Sequence, residues 1–473
     1  MNSRQGSDAG TKTPLVPSAL REAAQKRLTH DQRREFGRVA RKAVPRSSHE
    51  SWSPAPGRPD PIDLLQEQAK NLLPELAPLR YARMMPSPFA FLRGAAVVMA
   101  HDLAGTPDTG IRTQLCGDCH LSNFGLYASP ERTLLFDVND FDETLPGPWE
   151  WDLKRLATSL VVAGRDNGFD DAGCRKAARA AATSYRKRMA EFSKMRELDV
   201  WYSQVNVDDV LDLIGDSKTR KRAKKARRKA RGRDNLQALS RLTKTLDGRR
   251  VIDDDPPLLA RVTEEHLREQ VHEILESYRS TLQDDRRHLL DRYHFVDAAT
   301  KVVGVGSVGT RCYVVLLEGL NQEDPLFLQV KEAEASVLEA HLPQSVYENQ
   351  GQRVVAGQRL MQAASDIFLG WVRGPAGRDF YWRQLRDMKG SAKIEQLSSG
   401  QLALYADICG LALARAHARS GDRVQIAGYL GKSGRFDEAI ADFAEAYADQ
   451  TERDHATLCA AVKEGKVAAD VEA

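Results

Sequence analysis

The sequence contains few cysteines, few aromatic residues and no long apolar run. Six cysteines in 473 residues are too sparse for the disulfide framework of a secreted protein. No apolar stretch of the sequence approaches the length needed to cross a bilayer, and the N-terminal MNSRQGSDAGTKTP lacks the apolar core of a signal peptide. These absences predict a cytoplasmic protein that is not associated with a membrane.

The sequence also lacks a strong charge of either sign. A formal net charge of +3 is too small for the whole molecule to bind nucleic acid through its overall charge. Basic residues are concentrated locally, in the run KTRKRAKKARRKARGR from Lys218 to Arg233. Such a run is usually a solvated helix or loop. The alternative is a binding surface for an anionic partner such as RNA, although no aromatic residues are interleaved.

Apolar periodicity divides the rest of the chain into helical and strand-like parts. From Asp60 onward, apolar residues recur at spacings of three and four, which predicts helices. Residues 112–142 instead contain short apolar runs that predict two strands flanking a loop. A helix is predicted from Trp149, with Pro148 at its first turn. Strand-like segments follow from about residue 301, and helical periodicity returns at Gly400. This pattern predicts an α+β protein.

Polar residues are concentrated in the stretch CGDCHLSNFG and in LLFDVNDFDET, which follows it. Asp118 and Asn123 are five residues apart on the predicted loop, and Asp137 follows fourteen residues after Asn123. Two carboxylates and an amide suit phosphoryl transfer: one carboxylate orients the attacking hydroxyl, and the other two groups hold Mg²⁺ on the nucleotide phosphates. Asp140 is the alternative metal ligand if the strand ends three residues later.

The same stretch contains Cys116, Cys119 and His120, which raises the question of a zinc or redox site. No second CxxC or HxxxH pattern is visible in the sequence, and a structural zinc site needs four ligands. A redox CxxC should open a helix, whereas Asn-Phe-Gly follows here. We therefore expect the cysteines to be small packing residues beside the loop.

Asp118-x-x-x-x-Asn123 resembles the catalytic loop of protein kinases and, more closely, the HGDxHxxN loop of aminoglycoside and choline phosphotransferases. Cys116 stands where those enzymes usually carry histidine. The resemblance implies a catalytic base at Asp118 and metal ligands at Asn123 and Asp137. GPWEWDLKRLA resembles the GDPxxDLA segment of these enzymes, which implies that Asp152 braces the catalytic loop.

A glycine-rich motif opens the strand-like segment and is followed by the alternating sequence CYVVLL. The motif contains Gly304, Gly306 and Gly309. Such glycines let the backbone approach phosphate oxygens. The next strand, FLQVKEA, carries Lys331 in the way the third strand of kinases carries its phosphate-binding lysine. This lysine needs a carboxylate partner, for which Glu348 is the first candidate and Glu339 the second.

The order of these parts is the reverse of that in kinases, where the glycine loop and the lysine precede the catalytic loop. We therefore predict a two-lobed protein kinase-like fold with circularly permuted lobe order, a helix-rich large lobe and a small antiparallel β lobe. The motifs SPFAFLRG, CGDxHxxNFG, FDxNDFDET and QLRDMKGS resemble the bacterial family known as domain of unknown function 2252, over nearly all the chain after residue 60.

Four regions are predicted on this basis. They are a mostly disordered basic tail (1–60), a catalytic large lobe with a basic insertion near 216–233 (61–300), a nucleotide-binding β-rich lobe with a hinge (301–390), and C-terminal helices that pack on the large lobe (391–473).

The resemblance implies ATP- and Mg²⁺-dependent phosphoryl transfer to the hydroxyl of a small-molecule acceptor. Two alternatives stay open. One is a catalytically inactive kinase-like regulator, or an RNA-associated adaptor that acts through the Lys218–Arg233 run. The other is transfer of AMP instead of phosphate. The segment LARAHARSGD also resembles a helix of small-molecule phosphotransferases in which the histidine, here His417, is structural.

Overall fold

The computed structural model describes residues 28–213, 216–232, 235–256, 258–262, 265–302, 304–306, 308–385 and 388–470. The disorder predicted for the first 27 residues therefore lies outside the described part of the chain. The remainder of the predicted tail includes a helix, which begins directly after a capping box at Thr29.

Seventeen α-helices are present in the described residues. In chain order they are α1 (His30–Ala43), α2 (Pro61–Ala69), α3 (Ala77–Met84), α4 (Pro88–Gly94), α5 (Ala96–Ala104), α6 (Trp149–Asp166), α7 (Asp171–Phe192), α8 (Glu197–Tyr202), α9 (Val207–Leu213), α10 (Ser217–Arg231), α11 (Asn235–Leu242), α12 (Glu265–Arg279), α13 (Asp284–Leu290), α14 (Gln350–Met361), α15 (Ser399–Ser420), α16 (Arg423–Leu430) and α17 (Arg435–Lys463).

In the part of the chain that the structure describes, the strands are short and all of their pairings are antiparallel. They are β1 (Arg112–Leu115), β2 (Phe124–Ala128), β3 (Leu134–Val138), β4 (Leu145–Pro148), β5 (Thr243–Leu246), β6 (Arg249–Ile252), β7 (Leu259–Arg261), β8 (His294–Lys301), β9 (Cys312–Glu318), β10 (Pro325–Glu332), β11 (Gly370–Arg373) and β12 (Asp379–Gln384). Three two-stranded units accompany one six-stranded sheet in the order β11-β12-β10-β9-β8-β7.

The largest core lies among the long helices α6, α7, α15 and α17. Small side chains let these helices approach closely: a Cβ at Gly410 of α15 would lie 2.3 Å from the carbonyl oxygen of Ala181 in α7. Trp149, fully buried at the start of α6, stacks on Tyr185 of α7 with ring centroids 5.5 Å apart. The helix begins at the predicted residue, with Pro148 as its N-cap.

The six-stranded sheet has its own apolar core, in which Tyr278 of α12 stacks on Trp382 of β12 with centroids 4.5 Å apart. The glycine-rich turn joins β8 to β9, Lys331 lies on β10, and α14 follows β10 in the chain. Because β7 and β8 belong to this sheet, it begins at Leu259, upstream of residue 301.

Two contacts tie the hairpin β2–β3 to more distant parts of the chain. Leu126 of β2 exchanges backbone hydrogen bonds with Gly390, at 2.6 and 3.0 Å. Arg415 of α15 pairs with Asp137 of β3. The hairpin is therefore held by Gly390, which precedes α15, and by Arg415, which lies within α15.

The predicted α+β class with small antiparallel sheets is confirmed. Among the described residues, no helix combines the length and the apolar character required to span a bilayer.

Candidate functional site

A cavity of about 630 Å³ lies where the N-terminal helices, the β2–β3 hairpin and the six-stranded sheet meet. Its polar lining includes acidic, basic and amide side chains. Among them are Asp118, His120, Asn123, Asp140, Asp142, Glu143, Glu332, Glu334, Arg80, Arg93, His101 and His341. Gly304 and Gly306 also line it, so the structure brings the loop residues and the glycine-rich turn to one cavity.

The loop that carries Asp118 is held from below by Asp152 of α6. The Asp152 carboxylate accepts hydrogen bonds from the backbone N–H groups of Cys116 and Gly117, at 2.8 and 3.1 Å. His417 of α15 lies 3.2 Å from the same carboxylate and contacts Tyr185 through its other ring nitrogen. Asp152 is 1% exposed, so it supports the loop from the protein interior, as a brace requires.

Strand pairing places Asn123 opposite Asn139, the residue before Asp140. The carbonyl of Asn123 accepts a hydrogen bond from the backbone N–H of Asn139, 2.8 Å away, at the open end of the β2–β3 hairpin. The Asn123 side-chain nitrogen donates to the carbonyl of Asp118 at 2.7 Å. The amide oxygen of Asn123 stays available as an oxygen ligand, and both Asn123 and Asp140 line the cavity.

Asp140 and Asp142 lie beside a set of cations. Burial and the charge of Asp142 raise the pKa of Asp140, while Lys331 and Arg383 act in the opposite direction. Burial would raise the pKa of Asp142 as well, but the charge and hydrogen bond of Lys331 and the hydrogen bond of Tyr381 outweigh it and lower that pKa. Of these two carboxylates, Asp140 is therefore the one whose charged form a further cation would stabilise more.

Lys331 points from β10 towards the hairpin and donates a hydrogen bond to Asp142. The hydroxyl of Tyr381, on the neighbouring strand β12, donates to the other oxygen of Asp142 at 2.6 Å. The charges of Asp142, Tyr381 and Asp140 overcome burial and raise the pKa of Lys331 well above its ordinary value. Lys331 therefore stays charged beside the cavity.

The glycine-rich turn packs against the N-terminal helices. Its Gly304 carbonyl accepts a hydrogen bond from Arg83 at 2.7 Å, and its Gly309 carbonyl accepts one from the backbone N–H of Leu73 at 2.8 Å. Both glycines have positive φ, 70° and 97°, which L side chains rarely adopt. A Cβ at Gly306 would lie 2.9 Å from the carbonyl oxygen of Arg93.

Asp118 is paired with Arg155 of α6, a residue that is 2% exposed. The Nε of Arg155 donates to Oδ1 of Asp118 at 2.5 Å, and the Asp118 side chain is 20% exposed to the cavity. Burial raises the pKa of Asp118, although Arg155 and Arg93 act against the rise. Oδ2, 3.6 Å from Nε2 of His120, is the oxygen available to a ligand.

Three of the predicted site residues lie elsewhere. Asp137 is 1% exposed and forms a buried ion pair with Arg415, at 2.7 Å, instead of lining the cavity. Glu348 is exposed, and its carbonyl accepts from Arg373. Glu339 lies 3.9 Å from Arg353. The partner of Lys331 is thus Asp142, and of the two predicted metal-binding carboxylates, Asp137 and Asp140, it is Asp140 that lines the cavity.

Sequence reasoning missed three residues that shape the cavity: Asp142, Arg155 and Arg353. Arg353 of α14 is 2% exposed and donates to the carbonyls of Asp142, Thr144 and Glu334, at 2.7 to 2.8 Å. It thereby joins the turn after β3 to the end of β10. The only signal for Asp142 was its place in the acidic sequence DVNDFDE, and the arginines had none.

The ligand atoms of Cys116, Cys119 and Asp152 lie within 4.8 Å of one another, all buried. Burial raises the pKa of both thiols, well above the ordinary value for Cys116 and to about 11 for Cys119. Metal binding needs the thiolate, and the Asp152 carboxylate already accepts two backbone N–H groups. The group therefore fits packing beside the loop better than metal binding.

The fold and the cavity define a mixed α+β protein with an acidic, amide-bearing site beside a glycine-rich turn. A family model described as "Uncharacterized protein conserved in bacteria (DUF2252)" matches residues 72–461. The chain belongs to this family, as its motifs predict. No curated protein and no solved structure gives a significant match. The kinase-like lobes and their permuted order therefore stay predictions.

Proposed function

We propose that the protein is an ATP- and Mg²⁺-dependent phosphotransferase that acts on a hydroxyl group of a small molecule. The observation that carries the proposal is the meeting of the glycine-rich turn with Asp118, Asn123 and Asp140 in one cavity, beside the Lys331–Asp142 pair. The turn lies between the first two strands of a β8-β9-β10 meander and the lysine on the third, which is the arrangement kinases use to hold nucleotide phosphates.

The residues present suit a hard divalent cation. Asn123 and Asp140 offer an amide oxygen and a carboxylate, the ligands that Mg²⁺ prefers, and the raised pKa of Asp140 favours a cation next to it. We assign the metal to these two residues, with Asp142 held by Lys331. When bound, Mg²⁺ would neutralise charge on the nucleotide phosphates.

Asp118 would position the acceptor. Its Oδ1 is held by Arg155, so Oδ2 would accept the proton of the acceptor hydroxyl. At the same time the hydroxyl oxygen would bond to the γ-phosphorus. The bond from that phosphorus to the β-phosphate oxygen would break, leaving ADP. Lys331 and the N–H groups of the glycine-rich turn would hold the phosphates in place.

The test is calorimetric titration of ATP with and without Mg²⁺, using the wild type, Asp140→Asn and Asn123→Ala. The matched control is Glu131→Gln, an exposed carboxylate at the closed end of the same hairpin. We expect Mg²⁺-dependent ATP binding that weakens about tenfold or more in the two site variants and is unchanged in the control, since each removes a metal ligand. Equal affinities in all four proteins would overturn the proposal.

A second candidate function, a catalytically inactive nucleotide-binding regulator, is favoured by one observation. The ion pair with Arg155 occupies one oxygen of Asp118 and leaves only the other oxygen to accept a proton. This candidate predicts ATP binding without consumption of ATP in the presence of hydroxyl acceptors. AMP transfer would appear as a gain of AMP mass on an acceptor.

A further inference from the structure

Arg80 of α3 is a buried cation that faces the cavity without an acidic partner. It is 2% exposed, yet it lines the cavity. Its Nη2 donates to the side-chain oxygen of Gln68 at 2.7 Å and to the carbonyl of Gly94 at 3.1 Å. Within the described part of the chain, Nε and Nη1 of Arg80 have no hydrogen-bond partner.

A buried guanidinium keeps its positive charge, because it does not lose its proton in the ordinary pH range. Burial lowers the pKa of Arg80, and the charges of Tyr81, Glu143 and Glu334 only partly oppose this. No carboxylate among the described residues forms an ion pair with Arg80. A buried charge without a counter-ion is costly, so a site that keeps one is suited to an anionic ligand.

Arg93 of α4 provides a second cation in the same cavity. Its Nε is buried and has no partner among the described residues, and its guanidinium lies 5.9 Å from the centre of the Phe89 ring. Arg93 and Asp118 line the same cavity, and the charge of Arg93 opposes the rise in the pKa of Asp118. Gly94, which binds Arg80, follows Arg93 directly in the chain.

The cations around the cavity therefore fall into two groups. Lys331 and Arg383 influence Asp140 and Asp142, where the metal and the nucleotide phosphates are assigned. Arg80 and Arg93 come from the N-terminal helices: the charge of Arg93 acts on Asp118, where the acceptor is assigned, and Arg80 donates to the carbonyl of Gly94, the residue after Arg93.

We infer that Arg80 and Arg93 form a subsite for an anionic group of the acceptor, so that the substrate is a hydroxyl compound carrying a phosphate or carboxylate. The words acceptor and substrate rest on the proposed function; the anion site itself does not. Arginine suits both anions because its fork of N–H donors matches two oxygens at once. The other source of the same chemistry would be the nucleotide's own phosphates.

The first arm of the test measures the binding of inorganic phosphate and of succinate by calorimetry. We expect both anions to bind the wild type and to bind Arg80→Gln at least tenfold more weakly. The control is Lys70→Gln, which removes an exposed cation at the rim of the same cavity and should change affinity less than twofold. No binding to the wild type, or equal binding to Arg80→Gln, would overturn the inference.

Loss of binding through misfolding is separated by a second variant and by thermal unfolding. Arg93→Gln changes a half-buried side chain and should weaken phosphate binding while keeping the unfolding midpoint of the wild type. If Arg80→Gln unfolds, Arg93→Gln decides: unchanged phosphate affinity in this folded variant overturns the inference.

The second arm separates acceptor from nucleotide. The wild type saturated with Mg²⁺ and the β,γ-imido analogue of ATP should still bind phosphate, and Arg80→Gln should bind the analogue within twofold of the wild type. Competition between phosphate and the analogue would overturn the acceptor assignment and give Arg80 to the nucleotide site. Arginine-dependent phosphate binding without any binding of the analogue would support the anion subsite and overturn the proposed function.

Discussion

Lys331 of β10 and Asp142, 189 residues earlier in the chain, form a hydrogen-bonded ion pair that joins the six-stranded sheet to the turn after the β2–β3 hairpin. Tyr381 and Arg353 strengthen the same junction, one through the Asp142 side chain and the other through its carbonyl. The site is thus assembled from the turn after β3, two strands of the six-stranded sheet and helix α14.

Breaking this pair should destabilise the protein. Lys331→Met removes this ammonium from Asp142, and Asp142→Asn removes this carboxylate from an ammonium that is 2% exposed. We expect each variant to lose about 3 kcal/mol of unfolding free energy in urea titrations, because each breaks an ion pair in which Lys331 is buried. The double variant should lose less than the sum of the two. Additive losses would show that the two side chains are not coupled.

Asp152→Asn should loosen the loop that carries Asp118. Both carboxylate oxygens accept backbone N–H groups, and an amide would turn one NH₂ towards a donor. We expect a loss of about 1–3 kcal/mol of unfolding free energy and weaker binding of MgATP. Asp170→Asn, at the exposed N-cap of α7, is the control; asparagine caps helices as well as aspartate does. Equal effects of the two variants would remove the bracing role.

Glu143 should make stability depend on pH near neutrality. Burial raises its pKa from the ordinary 4.5 to about 7, although Arg353 and the backbone N–H of Val337 act against the rise. The folded state therefore holds this proton more tightly than the unfolded state, and the contribution is lost as pH rises from about 4.5 to 7. Glu143→Gln should match the wild type at pH 4 and exceed its unfolding free energy by about 3 kcal/mol at pH 8.

Chemical unfolding of both proteins across this pH range measures the effect. A constant difference between wild type and Glu143→Gln at every pH would mean that Glu143 titrates normally in the folded protein.

Gly306→Ala should weaken nucleotide binding by moving the glycine-rich turn. The added methyl group would meet the Arg93 carbonyl at 2.9 Å, a backbone atom that cannot rotate away. We expect at least a fivefold loss in MgATP affinity by calorimetry. Gly400→Ala, in the first turn of α15 and facing open space, should leave affinity unchanged and raise stability by about 0.5–1 kcal/mol. Unchanged affinity in Gly306→Ala would show that the turn takes no part in nucleotide binding.

Local patterns in the sequence were sufficient to predict some elements. The strand-like segments CYVVLL and FLQVKEA predicted β9 and β10, and Pro148 marked the start of α6. The family prediction, which rested on long and specific motifs, is confirmed by the family model that matches residues 72–461. The kinase-like lobe order is untested by any solved relative.

Long-range pairing explains what sequence did not reveal. Every residue of β3 is buried, so alternation could not show whether Asp137 or Asp140 faces the cavity. The choice depends on Arg415, 278 residues away, which pairs with Asp137. The partner of Lys331 was sought on a nearby helix for the same reason, and α14 has no acidic residue to supply it.

The pairing of Arg415 with Asp137 and of His417 with Asp152 has a consequence for how the protein is made. Both contacts come from α15, so a ribosome must translate almost the entire chain before the hairpin and the loop gain their interior supports. An expressed fragment that stops at residue 390 would leave two buried carboxylates, Asp137 and Asp152, without these partners. Separate production of residues 1–390 and 391–473 is therefore a poor route to a correctly folded site.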